Sequence, residues 1–239
     1  MARTLQISPR IAVFLVVVVL AGLNVVDIRV PHASLVVGPV VVAGLVGVAR
    51  LAGLSWQELG LGPGTWRPGL RWAAVIIGIV AVVLAVGAAL PLTREAFRDT
   101  RYRLDWGSAL LTAFVLIPIG TVLVEEVAFR GVLWGLLRRV RGTVTATVVS
   151  SALFGLWHVL PSLGLSTSNE AISGTVGAGR SGQATTVVAT VLFTALSGVV
   201  FCELRRRSGS ILAPAALHWA TNGLSVLASA AVWAWGTPR

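Results

Sequence analysis

The chain has 239 residues, of which 56% are hydrophobic and only 12% charged, and its mean hydropathy is +0.87. A soluble domain of this length would be roughly a quarter charged, so an ordinary cytoplasmic enzyme and a disordered chain are both excluded. The net charge of +10 comes from nineteen arginines, no lysine and nine acids. Such a balance raises the question of nucleic acid, but the arginines fall between apolar runs, where a membrane protein keeps its anchors. No nucleic-acid partner is expected.

Uncharged runs of 19, 20 and 22 residues recur, each long enough to cross a bilayer as a helix. The expectation is all-α: a single membrane-embedded domain over 1–239, built as a polytopic helical bundle of seven to eight spans. In chain order the segments are 11–26, 35–54, 71–90, a fourth from 106 toward 137, then 143–160, 185–204 and 211–235. The first, preceded by Arg3 and Arg10, looks like a signal sequence, but no small-x-small cleavage site follows and further spans do. Pro91 closes the third segment and Pro161 the fifth. Valine and isoleucine dominate several runs, yet in lipid the backbone must satisfy itself internally, which selects helix over strand. Trp56, Trp66, Trp72, Trp106, Trp233 and Trp235 sit near run ends, as interfacial anchors do. The connection 161–184 is rich in Ser, Gly and Thr and reads as a linker or a flexible lid. Cys202, the single cysteine, excludes an internal disulfide and reads as a small buried hydrophobe.

With the N-terminus inside, eleven arginines fall in inner segments and seven in outer ones, and the clusters at 138–141 and 205–207 are both inner. The positive-inside rule then predicts a multi-pass protein of the cell membrane with a cytoplasmic N-terminus and an external C-terminus.

Ionisable residues inside spans are rare and usually face a bundle interior or cavity. Here they form three groups. In EEVAFR (125–130), Glu126 and Arg130 are four apart and can pair on one helix face, while Glu125 lies about 100° round the helix and is free to face elsewhere. In FGLWH (154–158), Phe154 is one turn before His158 and is placed to pack beside its imidazole. In HWATN (218–222), His218 and Asn222 aim two hydrogen-bonding groups from one face. A carboxylate or imidazole that takes a proton from water, with an imidazole and an amide to hold an oxyanion, is the equipment of a hydrolase. The same His, His and Glu set approaches a zinc site, and the residues alone leave both readings open. Counting about 1.5 Å per residue puts Glu125 ~20 Å from Arg138, His218 ~16 Å from Arg207 and His158 ~25 Å from Arg141, so convergence requires tilt, a kink or a later start of the fifth helix. Gly131, Gly135 and Gly155 offer close helix approach.

The three motifs, in this order, resemble the CPBP family of CAAX prenyl proteases, bacteriocin-processing enzymes and bacterial Abi relatives, whose pattern is EExxxR, FxxxH and HxxxN. The resemblance covers residues 106–235, the expected catalytic core. It implies an intramembrane glutamic endopeptidase acting on a peptide or membrane-protein substrate in the lipid bilayer. Glu125 would be the general base, His158 its helper in holding water, and His218 with Asn222 the oxyanion side. Glu126 and Arg130 would support the geometry. No cofactor is required in this reading, with zinc as the alternative. Two other functions stay open: a non-catalytic membrane scaffold or immunity protein, and a proton-coupled transporter subunit.

Overall fold

A computed structural model describes residues 7–30 and 33–236; Arg3 and Arg239, used in the arginine count, lie outside them. The described residues form helices joined by short turns, with one isolated bridge between Asp99 and Asn169. The long elements are α1 (Pro9–Arg29), α2 (Ala33–Leu51) and α3 (Trp66–Ala89), then α4 (106–133), which runs without a break into α5 (Trp134–Trp157). A short α6 (Glu170–Val176) precedes α7 (Arg180–Ser208) and α8 (Leu212–Gly236).

Among the described residues, five segments are long and apolar enough to cross a membrane: Pro9–Asp27, Ala33–Leu51, Trp56–Ala89, Trp106–Trp157 and Arg180–Ser208. The expected count of seven to eight differs from this for two physical reasons. The fourth segment holds 52 residues and is broken inside by Gly142, whose φ of 81° and ψ of 174° are not helical. Its two limbs are the fourth and fifth runs of the sequence. Helix α8 is 25 residues long, but His218, Thr221 and Asn222 dilute its apolar character. The outer surface carries bare hydrocarbon, with Val36 77%, Val82 64% and Phe193 70% exposed. Surface of that kind is stable in lipid and not in water, and the chain is a multi-pass membrane protein.

The elements have two ends. At one, Ile7 N–H donates to Leu51 O at 3.2 Å and Ile211 N–H to Gly60 O at 3.2 Å. Arg205 there donates to Glu58 O at 2.8 Å. At the other end Thr100 Oγ1 donates to Ser168 O at 2.9 Å and Trp233 Nε1 to Asp99 O at 3.2 Å. The 161–184 connection is therefore not a bare linker. It carries α6 and a short turn of helix at Leu165–Ser168, clasped to the 95–103 segment.

The glycines act differently from expectation in one place. A Cβ on Gly155 would lie 2.7 Å from Val191 O and 2.9 Å from Ala195 Cβ, so α5 and α7 do meet there at small-residue distance. Gly131 and Gly135 instead admit the 54–59 turn: Cβ atoms on them would lie 3.3 Å from Leu59 O and 2.7 Å from Leu54 Cδ2. That turn and the 209–211 corner thus sit beside the last third of the 106–141 helix, short of its end. Arg138 projects past them, which explains why depths counted from Arg138 and from Arg207 disagree. Glu125 and Trp157 are each within about 25 Å of Gly142 along their limbs at 1.5 Å per residue, so the hairpin brings them level.

Candidate active site

Helix α4 carries the two glutamates and is irregular where it does so. Ile117 N–H reaches back five residues to Thr112 O, and the same wide turns recur over Pro118–Val122 and Glu126–Leu133. Such turns are frequent at functional sites. The next donor in the series would be Pro118, which has no N–H, so the carbonyl of Ala113 lacks its partner in the helix. Trp219 Nε1 donates to it at 2.8 Å. This bond ties α8, with His218 and Asn222, to the glutamate helix. Ser150 Oγ on α5 likewise donates to Phe129 O at 3.1 Å.

Glu126 and Arg130 are fully buried and pair at 3.1 Å, as their spacing predicts. The same Glu126 oxygen lies 2.8 Å from His218 Nδ1. The Arg130 guanidinium stands 3.8 Å above the Phe154 ring and 4.6 Å from that of Phe201. Its Nε and Nη2 have no hydrogen-bond partner, so aromatic faces carry part of its stabilisation. Phe201 also stacks on His218 at 5.4 Å and an angle of 20°. Cys202 is buried beside Ser151, as the sequence suggested.

Glu125 is placed otherwise. Its Oε1 accepts Trp157 Nε1–H at 2.9 Å. Its Oε2 is buried without a hydrogen-bond partner and lies 3.7 Å from His218 Nε2. It lines a cavity of about 1120 Å³ together with Asp27, Trp157, His158 and Asn222. Glu126 and His218 are not on that lining. Adjacent carboxylates therefore face opposite environments.

His158 sits where α5 ends. Its N–H turns to Gly155 O at 3.0 Å, three residues back, which leaves the carbonyl of Phe154 free. His158 Nδ1–H donates to that carbonyl at 2.8 Å. A neutral imidazole bound this way keeps its lone pair on Nε2. Phe154 packs edge-on against it at 4.7 Å, the role its spacing indicated. Asn24 Nδ2 caps the adjoining Trp157 carbonyl at 2.7 Å.

Of the seven residues that the sequence singles out, Glu125, His158 and Asn222 line the cavity, and Glu126, Arg130, Phe154 and His218 form a packed ring. Sequence reasoning missed Trp157, Trp219, Phe201, Asn24 and Asp27. Trp157 and Trp219 carry a legible signal, since an indole N–H in mid-span must find an acceptor. Among the described residues, no three His, Cys, Asp or Glu side chains are arranged to hold a metal ion, and the Nδ1 atoms of both site histidines are already engaged.

Residues 107–224 match the family model described as type II CAAX prenyl endopeptidase Rce1-like. Over that stretch, 118 of the 239 residues, the chain is similar to the CAAX prenyl endopeptidase family. The matched region begins at the glutamate helix and ends just past Asn222, so it contains all three motifs. No individual curated protein and no solved structure matches the chain.

The ring makes a stability prediction. Replacing Arg130 with Met leaves the Glu126 carboxylate buried without its cation, a loss on the order of 3–5 kcal/mol. Detergent-purified Arg130→Met is expected to melt well below wild type, and the double variant Glu126→Leu with Arg130→Met to recover part of the difference. A single variant melting with wild type would contradict the assignment.

Proposed function

We propose that this chain is an intramembrane endopeptidase that hydrolyses a peptide bond of a membrane-associated or leader-peptide substrate with water activated by Glu125. The observation that carries this is the unequal use of the two glutamates. Glu126 is consumed by Arg130 and His218. Glu125 keeps one oxygen fixed by Trp157 and the other without a partner beside the cavity. A base must lie within about 3 Å of the water it deprotonates, and of the two adjacent glutamates Glu125 is the one that lines the cavity.

In this reading the Nε2 lone pair of His158 accepts a hydrogen bond from the same water and orients it. The proton passes from water to Glu125, hydroxide adds to the substrate carbonyl, and Glu125 returns the proton to the departing amine. Asn222 Nδ2 donates to the developing oxyanion, the kind of contact whose removal costs about a hundredfold or more in rate. His218 takes a positioning role instead of the oxyanion role that the resemblance implies. Its Nδ1 is engaged by Glu126 at 2.8 Å and its Nε2 lies 3.7 Å from Glu125, and the residue is not on the cavity lining. The mechanism needs no resident metal.

The bundle in this reading has seven spans, with α8 as the seventh and Gly142 separating the fourth from the fifth. Its N-terminus is on the cytoplasmic side of the cell membrane, because the end that gathers Arg50, Arg138, Arg139 and Arg205 follows the positive-inside rule. Cysteines introduced at 140 and at 178 report it: a membrane-impermeant thiol reagent added outside intact cells should label only 178, and labelling only 140 would reverse the orientation.

The chemistry is tested with Glu125→Gln, which keeps shape and the Trp157 hydrogen bond but removes the base. Cleavage of a membrane-inserted peptide should fall by about two orders of magnitude or more, with unchanged melting. Glu126→Gln should lose stability more than turnover. Near-normal cleavage by folded Glu125→Gln would remove the glutamate mechanism.

A further inference from the structure

The cavity has a chemical bias that hydrolysis alone does not require. Thr175, Thr186, Thr194 and Thr221 each donate their hydroxyl proton to a carbonyl four residues back on their own helix, at 2.7, 2.8, 2.7 and 2.9 Å. Ser162 donates to Val159 O at 2.7 Å. All five line the cavity. A hydroxyl has one proton to give, so these five turn only lone pairs toward whatever the cavity holds.

The charges on the lining point the same way. Arg101 is already satisfied by Asp99, with Nη2 to Oδ2 at 2.7 Å and Nε to Oδ1 at 3.0 Å. Asp27, near the end of α1, lines the cavity together with Ser34, and its Oδ1 is buried with no hydrogen-bond partner. Among the described residues no arginine or histidine pairs with it. Glu125, close enough for the two carboxyl groups to feel each other's charge, has an unpartnered oxygen as well. Five hydroxyl acceptors and the unpaired Asp27 carboxylate on one lining are complementary to a donor-rich cation. A guanidinium brings five donors and an ammonium three, and an unmet buried acceptor is costly.

We propose that Asp27 is a specificity-determining residue that pairs with an arginine or lysine side chain of the substrate, beside the bond to be cut. This rests on the peptidase reading, but Asp27 itself lies outside the three motifs and outside the matched residues 107–224. The distinction from Glu125 is geometric. Asp27 has no ion-pair partner among the described residues and an unpartnered buried oxygen, whereas Glu125 is held by Trp157 and lies 3.7 Å from His218.

The test uses the full chain in detergent and a library of apolar peptides in which one position is Arg, Lys, citrulline, norleucine or Glu. Retained and cleaved peptides are quantified separately by mass spectrometry. Wild type should retain Arg and Lys peptides roughly tenfold or more over the citrulline peptide, which has the same shape without the charge. Asp27→Asn should abolish that ratio while leaving citrulline retention and melting unchanged. Asp27→Glu should keep it, and Asp27→Lys should shift retention to the Glu peptide. Absence of a cation preference in folded wild type, a failure to retain any peptide, or a preference that survives in Asp27→Asn would each overturn the proposal. Selective retention with no cleavage would leave the cation site standing and remove the peptidase reading. Cleavage without charge preference would do the reverse.

Discussion

The Arg130 guanidinium is fully buried, 3.1 Å from Glu126 and 3.8 Å above the ring of Phe154. An isolated charge in such a place costs several kcal/mol, so the elements that surround it are constrained together. Phe154 from α5, Phe201 from α7 and His218 from α8 all close on the pair contributed by α4. Four helices are thereby set in register at one level of the bundle. The three motifs supply three of the four sides of this ring and Phe201 the fourth, which is a structural reason for the motifs occurring together. Glu125, the base in the proposed mechanism, is the preceding residue on the same helix. It inherits its position from a neighbour whose own charge is already matched.

The backbone follows the same logic. In lipid every N–H and C=O must find a partner inside the protein, and the irregular turns of α4 break that rule locally. The missing N–H of Pro118 releases a carbonyl that Trp219 takes up. The tightened end of α5 releases one that His158 takes up and exposes another that Asn24 takes up. Each repair is made by a side chain on or beside the site. Local departures from ideal helix are thus what fix the side chains of His158, Trp157 and the 218–222 face. Their positions depend on satisfied backbone groups as much as on packing.

Much of this was legible in the chain. The apolar runs gave helix existence and order, and the Glu126–Arg130 spacing gave the pair, because helix periodicity and the cost of charge in lipid are local rules. The three motifs pointed to the region that the family match covers. What stayed hidden was long-range. Gly142 could be seen as a residue but not as a reversal, so the depths of Glu125 and His158 did not agree. Gly131 and Gly135 read as a helix-packing pair, yet they receive the 54–59 turn. Asp27 lies at the end of an otherwise ordinary first span, and nothing in its neighbourhood announces that α1 borders the cavity. His218 read as a partner of Asn222 because they share a helix face, but its two nitrogens are drawn to the two carboxylates instead.

The account turns on Glu125 facing the cavity while Glu126, one residue away, is sealed behind it. Carboxylate-directed labelling of the folded, detergent-purified chain with a small epoxide, followed by peptide sequencing in the mass spectrometer, reads this directly. The expected result is an ester adduct on Glu125 with Glu126 unmodified until the protein is unfolded. An adduct on Glu126 in the folded protein, or equal modification of both, would contradict the division between them.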